Sequence, residues 1–189
     1  MTRKKRIIVA ISGASGTIYA INLLRKLKAN PDIETHVVMS DWARENLKIE
    51  LDMSHMEFES LCDVLYSNKN LGAKIASGSF ITDGMVVVPA SMKTVAGIAC
   101  GFSDNLIGRA ADVILKEQRK LILVPRETPL NTIHLENLTK LSKMGVHIIP
   151  PVPAFYNKPE TIQDIIDHNT YRLMDALGIE NDYGHRWEG

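Results

Sequence analysis

Near its start the chain reads RIIVAISGASGTIYAINLLRKL (residues 6–27), and this stretch carries its clearest structural signal. An apolar run at 7–11 stops at a loop of small residues, and apolar residues then recur at helical spacing at Ile18, Ile21 and Leu24. This pattern predicts a strand, a tight loop and a helix. Small residues let a phosphate approach the backbone, and a helix N-terminus favours an anion, so the loop is a candidate phosphate site. A tightly packed turn with no ligand is the alternative.

Apolar runs alternate with amphipathic helical patterns along the rest of the chain. Strands are predicted at 6–11, 35–39, 85–89, 121–125 and 146–150, and helices at 15–27, 41–51, 94–100, 104–120, 132–144 and 159–177. Strands that are apolar throughout are typical of a parallel sheet covered on both faces. The prediction is an α/β fold with a parallel central sheet between two helical layers. It forms one domain over residues 1–189, with an extended tail from about 179, whereas segment 52–82 mixes helix and loop signals.

Composition argues against several classes of function. The 189 residues carry 22 basic and 22 acidic side chains, whereas nucleic-acid-binding domains usually have a basic excess. No apolar stretch reaches the ~20 residues of a membrane span, and the first apolar run is too short for a signal peptide. Cys62 and Cys100 have no metal-ligand spacing and suit a reducing compartment. We therefore expect a cytoplasmic protein without a nucleic-acid or membrane partner.

Polar side chains follow each predicted strand at the point where the strand ends. They are Ser12 to Gly16, Ser40, Ser91 to Thr94, Arg126 with Glu127, and Tyr156. The carboxyl ends of parallel strands form one rim, and ligands bind in its crevice. A dinucleotide is disfavoured, because the first loop has only Gly13 and Gly16 and the second strand does not end in an acid. Ser91 and Thr94 either cap a helix or hold a phosphate.

The stretch NLIGRAADVILKEQRK, residues 105–120, places two cations on one face of a helix. Arg109 and Lys116 are seven residues apart and therefore point the same way. Asp112 is spaced to pair with both, at i,i+3 and i,i+4. These charges are interpreted either as part of a phosphate pocket or as surface charges that pair with one another within the helix. Histidines and cysteines show no spacing typical of a metal site or a hydrolase.

Five stretches, GASG, NLIGRAADVILKE, LVPRETPL, PPVPAFY and RLMDALGI, resemble the flavin prenyltransferases of the UbiX family. The resemblance implies a Rossmann/flavodoxin-like, three-layer αβα sandwich that assembles as a homododecamer, with flavin sites near subunit interfaces. It also implies an enzyme that binds reduced FMN and dimethylallyl monophosphate without a metal. The prenyl group would be joined to flavin N5 and C6, and prenylated FMN would pass to a UbiD-type decarboxylase.

The resemblance also assigns site residues by position. The implied FMN-binding positions are Gly13, Ala14, Ser15, Ser40, Ser91, Met92, Lys93, Thr94 and Arg126. The implied pocket for dimethylallyl phosphate contains Arg109, Lys116, Glu127, Tyr156 and Arg172, and Trp187 is a tail aromatic that closes it. The implied catalytic set is Ser15, Glu50, Lys116 and Glu127, with Ser15 and Glu50 assisting proton movement near N5. Leu71 stands where some members carry a Trp, which removes a cation–π contribution.

Other functions stay open at this point. One is a flavin-dependent decarboxylase acting directly on aromatic acids, and another is a non-catalytic FMN carrier. PASMKT at 89–94 resembles the PASANT segment of flavin-dependent cysteine decarboxylases, but the catalytic His of that group has no counterpart in ASGSFITDGMVVV at 76–88. Ubiquinone synthesis and phenolic acid breakdown fit the chain equally well.

Overall fold

Six parallel strands form the central sheet of the computed structural model, which describes residues 3–181. The strands are β1 (Lys5–Ile11), β2 (Ile33–Met39), β3 (Val64–Ser67), β4 (Gly84–Ala90), β5 (Leu121–Pro125) and β6 (His147–Ile148). Their order is β3-β2-β1-β4-β5-β6, and all neighbouring pairs are parallel. After β1 the chain forms β2 and β3 on one side of this strand, and it then forms β4, β5 and β6 on the other side. This switch opens a crevice at the carboxyl ends of β1 and β4.

Two hydrophobic cores lie on opposite faces of the sheet. The helices within residues 3–181 are α1 (Thr17–Lys28), α2 (Asp41–Leu51), α3 (His55–Glu59), α4 (Met92–Cys100), α5 (Leu106–Lys116), α6 (Thr132–Lys143) and α7 (Ile162–Leu177). One core joins α1, α2, α3 and α7 to Ile7, Val9 and Ile11 of β1. The other joins α4, α5 and α6 to Ile8 and Ala10, because successive residues of a strand face opposite sides. The predicted three-layer α/β fold is confirmed.

The prediction missed an edge strand and misplaced several boundaries. β3 has only four residues, all incompletely buried, so it lacks the apolar run that marks the central strands. The preceding α3 begins with a Ser54–Glu57 capping box, a signal that was present in the sequence. β6 is shorter than the predicted 146–150, since the prolines that follow it have no N–H to donate. The predicted helix 104–120 is shorter, beginning after the Asn105 cap and ending at Lys116.

Both cysteines of the chain lie within the described residues. Cys62 and Cys100 both carry free thiols. Burial raises the pKa of the Cys62 thiol to about 12, which keeps it protonated and unreactive at neutral pH. Across residues 3–181, no helix combines the length and apolar character needed to traverse a bilayer.

Candidate functional site

A cleft of about 500 Å³ opens at the carboxyl ends of the strands on one half of the sheet. The loops that follow β1, β2, β3 and β4 form its walls together with the first residues of three helices. Five of the predicted FMN-binding residues line it: Gly13, Ser40, Ser91, Lys93 and Thr94. The rule that polar residues gather where parallel strands end therefore located this cleft from the sequence.

Three helices begin at the cleft, and each is capped by a side chain. Ser40 accepts from the amide of Ala43 at 3.1 Å at the start of α2, and Asn105 accepts from Gly108 at 3.1 Å at the start of α5. Ser91 accepts from the amide of Thr94 at 3.3 Å in α4, as the capping interpretation predicts. Free N–H groups and aligned dipoles at helix starts favour an anion. Lys69 and Lys93 line the same cleft, as do Asp41 and Asp104, so its charged side chains are of both signs.

Buried hydrogen bonds hold the strand ends that form the cleft. Ser12, which is 1% exposed, donates its hydroxyl to the carbonyl of Pro89 at 3.0 Å. The same hydroxyl oxygen accepts from the amide of Ser91 at 2.7 Å. The amide of Ser40 donates to the carbonyl of Ile11 at 2.9 Å. The loops after β1, β2 and β4 are therefore fixed to one another by bonds within the chain.

Gly13 packs closely against Trp42 of α2. A Cβ atom added at position 13 would stand 2.7 Å from the Cβ of Trp42, which is bonded to the helix backbone and cannot swing away. We expect Gly13→Ala to lower the free energy of unfolding by about 1–3 kcal/mol, because overpacking forces the loop and α2 apart. Urea denaturation measures this change.

Gly72→Ala is the matched control for Gly13→Ala. A Cβ at position 72 would meet only the Asn70 side-chain oxygen, at 3.5 Å, an ordinary contact. Equal unfolding free energies for the two variants would show that the contact between the first loop and α2 is not restrictive.

The N-terminus of α1 is occupied by the carboxylate of Glu50, which reaches it from α2. One carboxylate oxygen accepts from the Thr17 amide at 2.9 Å and from the Thr17 hydroxyl at 2.7 Å. Both oxygens accept from the amide of Gly16, at 3.0 and 3.1 Å, and the Ser15 side chain also hydrogen-bonds to the carboxylate. Gly16 has φ +102°, a conformation that favours glycine. The N–H groups at the end of the loop bind the chain's own carboxylate, whereas the sequence analysis predicted a phosphate there.

Hydrogen bonding keeps Glu50 ionised. Burial by itself raises the pKa of this carboxyl, but the bonds from Thr17, Ser15 and Gly16 outweigh it. The net pKa lies below the ordinary value, so Glu50 is a carboxylate at neutral pH. Glu50 can therefore accept a proton, although its lowered pKa makes it a weaker base than an ordinary carboxylate.

The two predicted cations of α5 are partly paired within the chain. Arg109 donates to the Asp112 carboxylate at 2.8 Å and to the carbonyl of Ala76 at 3.2 Å. Lys116 pairs with Glu117 and not with Asp112, so the predicted i,i+4 pair is wrong. Lys116 is the last residue of α5, which leaves its side chain able to turn toward the next residue. The Arg109 and Lys116 side chains stay 39% and 48% exposed, so both remain accessible to a ligand.

Tyr156 and Arg172 gather at a different place, around His168 of α7. The Tyr156 and His168 rings meet edge to face with their centroids 5.8 Å apart. Burial lowers the pKa of His168, and the nearby positive charge of Arg172 lowers it further. Because α7 and α5 cover opposite faces of the sheet, one chain does not bring Arg172 together with Lys116. The implied dimethylallyl phosphate pocket is therefore divided between two regions of the chain.

The remaining predicted residues lie outside the lining of the cleft. The amide of Arg126 donates to the Ala90 carbonyl at 3.2 Å, next to the start of α4, and its side chain is exposed. Glu127 is exposed and accepts from the amide of Thr128. The side chains of Ala14 and Met92 are buried. Trp187 falls outside the described residues.

Known proteins match this chain over nearly its whole length. The Flavoprotein family matches residues 1–173. Flavin prenyltransferase LpdB of Lactiplantibacillus plantarum is 63% identical over 185 residues, which cover 98% of this chain and 99% of the relative. The chain belongs to the UbiX-like flavin prenyltransferases.

Solved structures of UbiX-like proteins share both the fold and much of the sequence. AnUbiX (PadA1), in a crystal structure with FMN and dimethylallyl pyrophosphate, is 45% identical with a TM-score of 0.96 and covers 99% of each chain. A dodecameric FMN-dependent UbiX-like decarboxylase from Escherichia coli O157:H7 is 51% identical with a TM-score of 0.95, covering 97% of this chain and 100% of that one.

Several lining residues of this UbiX-like cleft were missed at the sequence level. They are Asp41, Trp42, Asn68, Lys69, Asp104, Asn105 and Ile107. Asn68 and Lys69 follow β3, the strand that the apolar pattern did not reveal, so the rule of strand ends was never applied to them. Asn105 carried a usable signal, an Asn directly before an apolar helical run. Within residues 3–181, no group of three or more His, Cys, Asp or Glu is placed to hold a metal ion.

Proposed function

We propose that this UbiX-like protein is a flavin prenyltransferase, which transfers the dimethylallyl group of dimethylallyl monophosphate to N5 and C6 of reduced FMN. The observation that carries the proposal is the cleft at the strand ends, where three helices begin beside Lys69 and Lys93. Bound reduced FMN supplies the electron-rich ring that accepts the prenyl group.

The residues of the cleft fit a flavin mononucleotide. Glu50 already occupies the N-terminus of α1, so the phosphate is directed to the starts of α2 and α4. There the hydroxyls of Ser91 and Thr94, the backbone amides and the Lys93 side chain would hold it. Trp42, which is 71% exposed, provides apolar surface at the same opening.

The second phosphate, that of the dimethylallyl donor, requires cations from more than one copy of the chain. We place Arg109 and Lys116 of one subunit opposite Tyr156 and Arg172 of another, because α5 and α7 cover opposite faces of a single subunit. A homododecamer is the proposed assembly, since a relative of known structure is dodecameric. Such a pocket stabilises the negative charge of the departing phosphate through preorganised cations.

Proton movement is the proposed task of Glu50 and Ser15. Glu50 is ionised, and the Ser15 side chain hydrogen-bonds to it, so the pair forms a short path for a proton leaving the reacting atoms. Lys116 and Glu127 complete the proposed catalytic set. Apolar surface around the donor would keep water from capturing the allylic cation.

Partners and location complete the proposal. We propose that prenylated FMN passes to a UbiD-type decarboxylase, the partner that the resemblance to the UbiX family implies. We place the protein in the cytoplasm, where the free thiols of Cys62 and Cys100 remain reduced.

Mass spectrometry of the flavin tests the proposed reaction. After anaerobic incubation with reduced FMN and dimethylallyl monophosphate, we expect the flavin to gain one five-carbon unit. A parallel reaction with dimethylallyl pyrophosphate tests which donor is used, because AnUbiX (PadA1) was crystallised in complex with the pyrophosphate.

Two outcomes of this experiment would favour other functions. Bound FMN of unchanged mass would indicate a flavin carrier. Release of carbon dioxide from an aromatic acid by the purified chain alone would indicate direct decarboxylation, the type of activity for which the E. coli O157:H7 relative is named.

A further inference from the structure

Three residues of α2 contact the first loop in order, one helical turn apart. Trp42 lies against Gly13, Asn46 contacts Ala14, and Glu50 binds the backbone at the start of α1. A spacing of four places these side chains on one face of the helix. The loop at 12–16 has no regular secondary structure, so this face of α2 holds it in place.

Asn46 makes the middle contact of this face. Its side-chain amide donates to the carbonyl of Ala14 at 3.0 Å. In a trans peptide the C=O and the following N–H point in opposite directions. The bond from Asn46 therefore directs the N–H of Ser15 away from α2, and that N–H has no protein acceptor among residues 3–181.

We propose that Asn46 is a positioning residue that sets the Ala14–Ser15 peptide and presents the Ser15 N–H to the flavin. This inference rests on the proposed function, because it assumes that the first loop contacts FMN. Trp42 and Glu50 fix the two ends of the loop, and Asn46 fixes the orientation of the peptide between them. Without its donor, that peptide is free to turn over, and the ligand loses a backbone hydrogen bond.

Asn46→Asp is the variant that tests this role. It keeps the shape of the side chain, but an ionised carboxylate cannot donate to the Ala14 carbonyl and repels it. We expect the dissociation constant for oxidised FMN, measured by equilibrium dialysis at neutral pH, to rise about tenfold. As the pH falls toward the pKa of the new carboxyl, its protonated form donates again. The ratio of variant to wild-type dissociation constants should then return toward one.

Two further variants separate positioning from general stability. Asn46→Leu lacks any donor, so its affinity for FMN should stay low at every pH. Glu45→Gln changes an exposed neighbour on α2 and should bind FMN as the wild type does. The proposal is overturned if Asn46→Asp binds FMN like the wild type, or if its deficit does not respond to pH.

Affinity for FMN is measured without the prenyl donor and without turnover. If wild-type protein binds FMN but transfers no prenyl group, only the proposed function fails. If wild-type protein transfers the group while Asn46→Asp binds FMN normally, only the inference about Asn46 fails.

Discussion

Lys116→Ala and Arg172→Ala are each expected to lose nearly all prenyl transfer when expressed alone. When the two variants are co-expressed, the mixed oligomers are expected to recover up to about a quarter of wild-type prenyl transfer. The reason lies in the fold, which puts α5 and α7 on opposite faces of one chain. A pocket that uses both cations therefore takes Lys116 from one subunit and Arg172 from another. In a random mixture, about one pocket in four receives both intact residues.

Each variant alone should bind FMN normally and lose transfer. Neither residue lines the cleft proposed for the flavin. Removing one preorganised donor from a developing charge typically lowers the rate about 10²–10³-fold. Rates come from the mass of the flavin over time under anaerobic conditions, and affinity for FMN comes from dialysis. Lys143→Ala, at the last turn of α6, is a control for the loss of a surface cation.

The double variant Lys116→Ala/Arg172→Ala, co-expressed with wild-type subunits, is the matched control for the mixture. If each pocket draws its two residues from different subunits, this mixture also leaves about a quarter of the pockets intact. If both residues served the same subunit's pocket, it would leave about half, and the two single variants would recover nothing. Separate affinity tags establish that mixed oligomers form, so absence of recovery in them would contradict the shared pocket.

The sequence was informative where local chemistry and sheet geometry act together. Apolar runs predicted the central strands, and the rule that polar residues gather at strand ends brought Gly13, Ser40 and Ser91 to one cleft. The same rule missed Asn68 and Lys69, because β3 is a short edge strand without a continuous apolar run. An edge strand needs less burial than a central one, so its composition carries a weaker signal.

Contacts between residues far apart in the chain could not be predicted from the sequence. Nothing in the spacing of residues showed that the Glu50 carboxylate would bind the start of α1, 33 positions away along the chain. The division between Lys116 and Arg172 was equally hidden, because it depends on which face of the sheet each helix covers. Local patterns predict elements, whereas these contacts arise only when the elements pack.

Glu50→Gln is expected to reduce prenyl transfer by about 10²–10⁴-fold, because the neutral amide cannot accept the proton that the carboxylate is proposed to take. The substitution should also change how stability depends on pH. The pKa of Glu50 is lower in the folded protein than its ordinary value of 4.5. Its stabilising contribution is therefore complete above that value and is lost as the pH falls through the lower, folded-state pKa.

Glu57, a second carboxylate that caps a helix, provides a control that distinguishes an effect on stability from an effect on catalysis. Glu57 accepts from the hydroxyl and the amide of Ser54 at the start of α3, and this bonding also lowers its pKa, but its bonds lie away from the first loop. Glu57→Gln should weaken the helix cap and leave prenyl transfer at the wild-type rate. For Glu50→Gln we expect a loss of about 1–2 kcal/mol in the free energy of unfolding at neutral pH, since the bonds are charge-assisted but partly exposed.

Urea denaturation across the acid range measures these stabilities, and the anaerobic mass assay measures the rates. With Gln at position 50, the fall in unfolding free energy below the ordinary carboxyl pKa should be shallower than in the wild type, because one depressed carboxyl has been removed. Wild-type transfer rates in Glu50→Gln would limit Glu50 to capping α1. Equal rate losses in Glu50→Gln and Glu57→Gln would attribute the effect to stability, since only Glu50 contacts the first loop, which borders the cleft proposed for the flavin.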